Sequence, residues 1–148
     1  MKELSAPSSQ IGRFVWQVRD AILCTTPQAV GKYLRDKLFV PFDQFEQEEL
    51  WLLLLNSRYR LTHLVMVYRG TVDGLNAYPR DLFRAAIRLN AHSLILAHNH
   101  PSGAATPSEA DFEMTRRVIE AGELLGIWVQ DHLVVGKDNW VSIKEQGL

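Results

Sequence analysis

The sequence predicts an α/β fold, a sheet of short strands separated by helices. Two observations carry this. Apolar runs of strand length, such as Leu50 to Leu55 and Ser93-Leu94-Ile95-Leu96-Ala97, alternate with longer segments whose apolar residues recur every three or four positions. The chain has 148 residues, 47% hydrophobic and 22% charged, which is the size and balance of one globular domain with a proper core. Strands and intervening helices mixed within one such domain argue an α/β sandwich.

Residues 1 to 9 are polar with Pro and Ser and read as a loose tail. Ile11, Phe14, Val15, Val18 and Ile22 recur at helical spacing, so an amphipathic helix is expected over 11 to 23, packed on its own domain. Thr26-Pro27 starts a second helix with Val30, Tyr33, Leu34 and Leu38 inward, ended by Pro41. The acidic segment from Phe45 to Glu49 leads into Leu50 to Leu55. That run is continuously apolar, as a strand covered on both faces must be. Asn56 to Arg60 is a polar turn and Leu61 to Tyr68 the return strand. A helix is expected over Pro79 to Asn90 with Leu82, Phe83, Ala86 and Ile87 inward, then a strand over 93 to 97. The next helix, 107 to 125, has Phe112, Thr115, Val118, Ile119, Gly122 and Leu125 as its inward stripe and Gly126 as its stop. Its start reads as Thr106 at the N-cap, Pro107 first in the helix and Glu109 closing a capping box. Ile127 to Val135 and Trp140 to Ile143 form a final hairpin. Trp16, Trp51, Trp128 and Trp140 are expected to pack the core, and Cys24 to be a buried small residue.

Composition narrows the function. A net charge of −1 gives no global reason to bind nucleic acid. A single cysteine excludes an internal disulfide and a Cys-rich zinc finger. No apolar run approaches the ~20 residues of a membrane span, and Met1 to Ser5 lack the core of a secretory signal. The expected compartment is the cytoplasm.

The densest chemistry lies in His98-Asn99-His100-Pro101-Ser102-Gly103, followed by Pro107-Ser108 and Asp111. Two histidines two apart on an extended segment point to the same side. Asp111 closes a triangle with them if the chain turns back through a helix. Three protein ligands with an open fourth position suit a catalytic zinc. Ser108 and Asp111, three apart, share a face of the first helical turns. The His-Asn-His string is unlike an HNH nuclease, whose motif spreads over a hairpin and a helix.

With its spacing to Pro107-Ser108 and Asp111, the motif resembles that of the JAMM (JAB/MPN) metalloproteases, and its Asn and Pro-Ser-Gly resemble the RadC branch. Leu52 to Asn56, Arg69-Gly70-Thr71, Pro79-Arg80-Asp81, Leu124 to Ile127 and Asp131 to Val135 fit the same branch. The resemblance covers roughly residues 27 to 148, leaving 1 to 26 as an N-terminal tail and helix. Full-length RadC proteins are expected to carry a helix-hairpin-helix region as well, so this chain resembles a short form without one. The resemblance implies a mixed-sheet α/β/α sandwich of the JAB/MPN (cytidine-deaminase-like) type. It also implies Zn2+ on His98, His100 and Asp111, and hydrolysis of a peptide or isopeptide amide in a protein or peptide substrate. The family draws its general base from a glutamate just before the first central strand. Here that position is Glu48; Glu49, one residue on, points the other way from an extended chain. Ser108 would donate to the oxyanion.

Blander readings stand beside these. The histidines and Asp111 can cap backbone groups in a polar loop, Ser108 can cap the helix, and Glu48 can be one of several solvated acids. Asp131-His132 can orient a ligand, contact substrate or be structural; His63 and His92 read as structural or exposed. The RadC resemblance also implies a DNA-repair association, hence an accessory or DNA-binding module. Its physical support is the stripe Arg80, Arg84 and Arg88, which a solvated helix face also explains.

Overall fold

A computed structural model of the chain describes residues 4–7, 14–18, 22–70 and 78–148. One mixed sheet of seven strands organises them, in the order β1-β2-β4-β3-β5-β6-β7. The strands are β1 (Leu4–Pro7), β2 (Val15–Val18), β3 (Glu49–Leu55), β4 (Leu61–Arg69), β5 (Ser93–Asn99), β6 (Trp128–Val135) and β7 (Trp140–Ser142). β3 pairs antiparallel with both β4 and β5, and β5 pairs parallel with β6. The parallel step needs a crossover, and helix α3 (Glu109–Leu125) supplies it.

Burial along β3 follows the expectation of a strand covered on both faces: every residue from Glu49 to Leu55 is buried. Alternate side chains enter two separate cores. Trp51, Leu53 and Leu55 meet Val30, Tyr33, Leu34 and Leu38 of helix α1 (Pro27–Tyr33) and the π-helical turn Leu34–Leu38 that continues it. Leu50, Leu52 and Leu54 meet Leu82, Phe83 and Ala86 of helix α2 (Pro79–Arg88) and Met114 and Val118 of α3. The result is a three-layer α/β/α sandwich. Each fully buried leucine contributes about 1.5–3 kcal/mol, so this strand anchors both layers. The expected Thr26 cap is present, its Oγ1 accepting from Ala29 N at 3.2 Å.

Several expectations are corrected. Val15–Val18 is a strand on the outer edge of β4, not part of a helix over 11 to 23; residues 11–13 and 19–21 lie outside the described set. The apolar spacing fits either period over so short a stretch, and the open edge of β4 selects the extended form. Leu4–Pro7, expected as loose tail, pairs with β2. Strand β5 runs on through Asn99, so His98 belongs to the strand itself. Helix α3 starts two residues later than expected. Its N-cap is Ser108, and the capping box is Ser108 with Asp111, not Thr106 with Glu109. Ile87 and Leu125 face outward, while Met114 takes a place in the core. Trp128 is 62% exposed, whereas Trp51 is fully buried. Cys24 is buried as expected, which pushes its thiol up to about 12.

Candidate metal centre

Strand register brings the chemistry together. Leu50 lies opposite His98 across the β3–β5 ladder, on the face covered by α2 and α3. Two positions earlier on β3's chain, Glu48 shares that face by the period of two. His100 follows β5, and Asp111 sits in the first turn of α3 above the same strand end.

The nitrogens and oxygens converge closely. His98 Nε2 and His100 Nε2 are 3.0 Å apart. Asp111 Oδ1 is 3.2 Å from the first and its Oδ2 is 3.3 Å from the second. Ligands at about 2.0–2.2 Å from a tetrahedral zinc are spaced roughly 3.3–3.6 Å along the edges; the triangle is slightly tighter than this, with only the His100–Asp111 edge reaching 3.3 Å. Glu48 stands farther back, its Oε1 at 3.9 Å from His98 Nε2 and 3.8 Å from His100 Nε2. One atom from each of Glu48, His98 and His100 nevertheless falls within 4.8 Å of the others, the spacing of a metal-binding group.

The protonation pattern also fits a cation. His100 Nδ1 is 3.0 Å from the Ala104 carbonyl, which only accepts, so this nitrogen holds a proton and the Nε2 lone pair is left for the cluster. Two carboxylates face the same point. The hydrogen bond to Asp111 raises the pKa of His100 against the opposing pull of burial. Burial works against the charge on Asp111, but its hydrogen bonds with His100 and His98 override that and hold its carboxyl below the usual carboxylate range. The pocket stabilises positive charge, whether proton or metal ion.

Two side chains hold this geometry. Asp111 is clamped by its own capping box: Oδ2 accepts from Ser108 N at 2.8 Å, and Asp111 N donates to Ser108 Oγ at 3.1 Å. Ser108 is therefore a helix cap, and its exposed hydroxyl keeps a proton to donate. Asn99, fully buried between the histidines in sequence, turns to the other face. Its Oδ1 accepts from Glu49 N at 2.7 Å and its Nδ2 donates to the Gln47 carbonyl at 3.1 Å. One amide thus grips the backbone on both sides of Glu48. Sequence reading missed this role; the contact spans about fifty residues and leaves no local pattern.

Glu49 has a different task. It is buried, accepts from the Trp51 indole at 3.0 Å and pairs with Arg69 at 3.0 Å. A groove of about 760 Å³ lined by Phe45, Glu46, Glu49 and Arg69 adjoins it and contains none of the clustered side chains. Asp131 is structural, its oxygens taken by the backbone N–H groups of His132 and Lys144 and by the Ser142 hydroxyl. His132 is fully buried within hydrogen-bond distance of His98, and burial holds its pKa well below the ordinary value. His63 contacts Thr62, and His92 meets the Tyr59 ring edge-on. Arg80, Arg84 and Arg88 are exposed on α2, where Arg80 lies over the Tyr78 ring and Arg84 is 3.6 Å from Asp81. Among the described residues no helix is long and apolar enough to cross a membrane.

Residues 24–148 match the family model for the RadC-like JAB domain. The chain belongs to this family. Among its relatives, a UPF0758 protein of Desulforudis audaxviator is 45% identical over 124 residues, covering 84% of this chain and 52% of the relative. A UPF0758 protein of Symbiobacterium thermophilum is 41% identical over 131 residues, covering 88% and 54%. This RadC-like chain therefore spans about half the length of the curated relatives it matches. Membership accords with the mixed-sheet α/β/α layout and with the position of the histidine cluster at the end of a central strand.

Proposed function

We propose that this RadC-like JAB domain is a zinc-dependent hydrolase of the JAMM type, acting on a peptide or isopeptide amide of a protein or peptide substrate. The observation that carries the reading is the order of distances at the cluster. His98, His100 and Asp111 lie within 3.3 Å of one another, while the Glu48 carboxylate stands at 3.8 and 3.9 Å from the two imidazoles, about half an ångström or more beyond Asp111. A ligand set and a free carboxylate beside it are the two parts such chemistry needs.

In this reading His98, His100 and Asp111 hold the ion, which when bound lowers the pKa of a water to about 7 and polarises the scissile carbonyl. Glu48 accepts the proton of the attacking water and returns it to the leaving nitrogen, as a general base turned acid. Against Glu49 in that role stand its salt link to Arg69 and the parity that turns it to the opposite face from Glu48. The Ser108 hydroxyl donates to the oxyanion, and its loss should cost about 10²–10³ in turnover.

The first measurement is elemental analysis of the purified wild type, Asp111→Ala and Glu48→Gln. About one zinc per chain in the wild type and in Glu48→Gln, lost in Asp111→Ala, is expected. Hydrolysis of a peptide library should fall about 10²–10⁴-fold in Glu48→Gln. No zinc in the wild type, even after addition, overturns the proposal; activity surviving Glu48→Gln overturns the assigned base.

A further inference from the structure

Behind the cluster a chain of buried hydrogen bonds runs from α3 through β6 to β5, and counting its protons assigns a role to two residues. Thr115 Oγ1 lies 2.6 Å from the Asp111 backbone carbonyl and 2.6 Å from His132 Nδ1. A carbonyl only accepts, so the single hydroxyl proton of Thr115 goes to Asp111. The Thr115 oxygen must then accept from His132, and His132 Nδ1 carries a hydrogen. The two ring nitrogens of His132 are taken by Thr115 and His98. No carboxylate shares either bond, and an unpaired charge at a fully buried ring is costly. The ring is therefore neutral, and its Nε2 offers a lone pair. His98 Nδ1 lies 2.7 Å from that lone pair, so His98 donates there. Each proton of the relay has one place: His98 commits its Nδ1 hydrogen to His132, and Nε2, which faces His100 and Asp111, is the nitrogen left for an ion.

We infer that Thr115 and His132 are positioning residues that lock His98 into its Nδ1–H tautomer and so keep its Nε2 lone pair available to a metal ion. The inference rests on the metal reading of the cluster. The partner of a ligating histidine fixes the tautomer and the ring orientation, and its loss commonly weakens metal binding 10–100-fold. Here the partner is another histidine rather than a carboxylate, so its own tautomer has to be fixed in turn. Thr115 does this, and its bond to Asp111 ties the relay to the helix turn that presents the third ligand. Without the threonine oxygen, His132 is free to carry its proton on Nε2. That proton would confront His98 Nδ1–H, and the repulsion is relieved when His98 moves its hydrogen to Nε2, where it blocks the ion.

The test pairs zinc affinity with imidazole nitrogen NMR on histidine-labelled protein. Thr115→Val keeps the shape and removes the oxygen; Thr115→Ser restores it. Competition against a chromophoric chelator should show zinc held about 10–100-fold more weakly by Thr115→Val than by the wild type, with Thr115→Ser close to wild type. In the wild type, metal-free and zinc-loaded, His132 should appear protonated on Nδ1 and bare on Nε2; in Thr115→Val this pattern should be lost. Rescue by serine separates the relay from damage to packing. A wild-type His132 protonated on Nε2, or Thr115→Val binding zinc as tightly as wild type, overturns the inference. A wild type that takes up no zinc refutes the metal reading instead, and the tautomer assignment then stands or falls on the metal-free spectrum of His132.

Discussion

Replacing Asn99 with leucine isolates the clamp that holds Glu48. The two side chains share their branching and their number of heavy atoms, so the exchange leaves no cavity at this fully buried site. What is lost is the pair of hydrogen bonds, from Glu49 N at 2.7 Å and to the Gln47 carbonyl at 3.1 Å. Glu49 is buried, and its stranded N–H should cost about 1–3 kcal/mol. Gln47 is exposed, so water can serve its carbonyl and the second loss adds only about 1 kcal/mol. The expected destabilisation is about 2–4 kcal/mol, which for a chain of this size lowers the melting temperature by roughly 4–16 °C. The backbone at Glu48 keeps one tie, Gly70 N to the Glu48 carbonyl at 2.9 Å, but the flanking peptides are released. Zinc stoichiometry should stay as in wild type, since His98, His100 and Asp111 are not anchored by Gln47 or Glu49. Hydrolysis should fall as in Glu48→Gln. That second variant is the control: its side chain is half-buried and its loss strands no backbone group, so its melting temperature should match wild type. Thermal melts followed by circular dichroism, with metal analysis on the same samples, decide the matter. An Asn99→Leu protein melting within about 2 °C of wild type, less than about 1 kcal/mol on this scale, would refute the clamp.

The histidine cluster also sets a pH dependence. The raised pKa of His100 gives stability to the metal-free protein that is complete below about 6.5, the unfolded value, and is lost as pH rises through the folded one. The lowered pKa of Asp111 gives stability that is present above about 3.9 and is lost as pH falls through its folded value. The difference in stability between metal-free wild type and His100→Gln should therefore shrink as pH is raised from 6.5, while zinc affinity grows over the same window because the ion needs the deprotonated imidazole. A difference that widens with pH would show the assignment to be wrong. In the fold itself, Gly122 packs α3 against the start of β6, where a Cβ would overlap the Ile127 carbonyl oxygen. Gly122→Ala should lose about 1–3 kcal/mol in urea unfolding; an unchanged midpoint would mean that the helix can shift outward at little cost.

How much was legible in the sequence varies by element. Leu50 to Leu55 announces a doubly covered strand because no exposed position interrupts it. Gly126 announces the end of α3, and it does adopt a left-handed cap with φ 75°. The triangle of His98, His100 and Asp111 was legible because strand parity places the two histidines together and a helical turn returns the carboxylate to them. Parity also separates Glu48 from Glu49, and the structure puts the latter in its salt link on the other face. The capping box was read two residues early, since Thr106 with Glu109 and Ser108 with Asp111 satisfy the same local rule. The register that wins is the one that points the Asp111 carboxylate at both histidines while it caps Ser108.

By itself, the sequence determined the alternation of strands and helices, the apolar faces and the cluster of ligand-type residues. These depend on neighbours a few positions away, where backbone periodicity controls which way a side chain points. The tertiary structure alone decided that Val15–Val18 completes a sheet edge, that Asn99 grips the chain around Glu48, and that Thr115 and His132 stand behind His98. Each of these joins groups tens of residues apart. A buried amide or imidazole must find partners for every donor and acceptor it carries, and which partners those are is settled only when the strands and helices close over it.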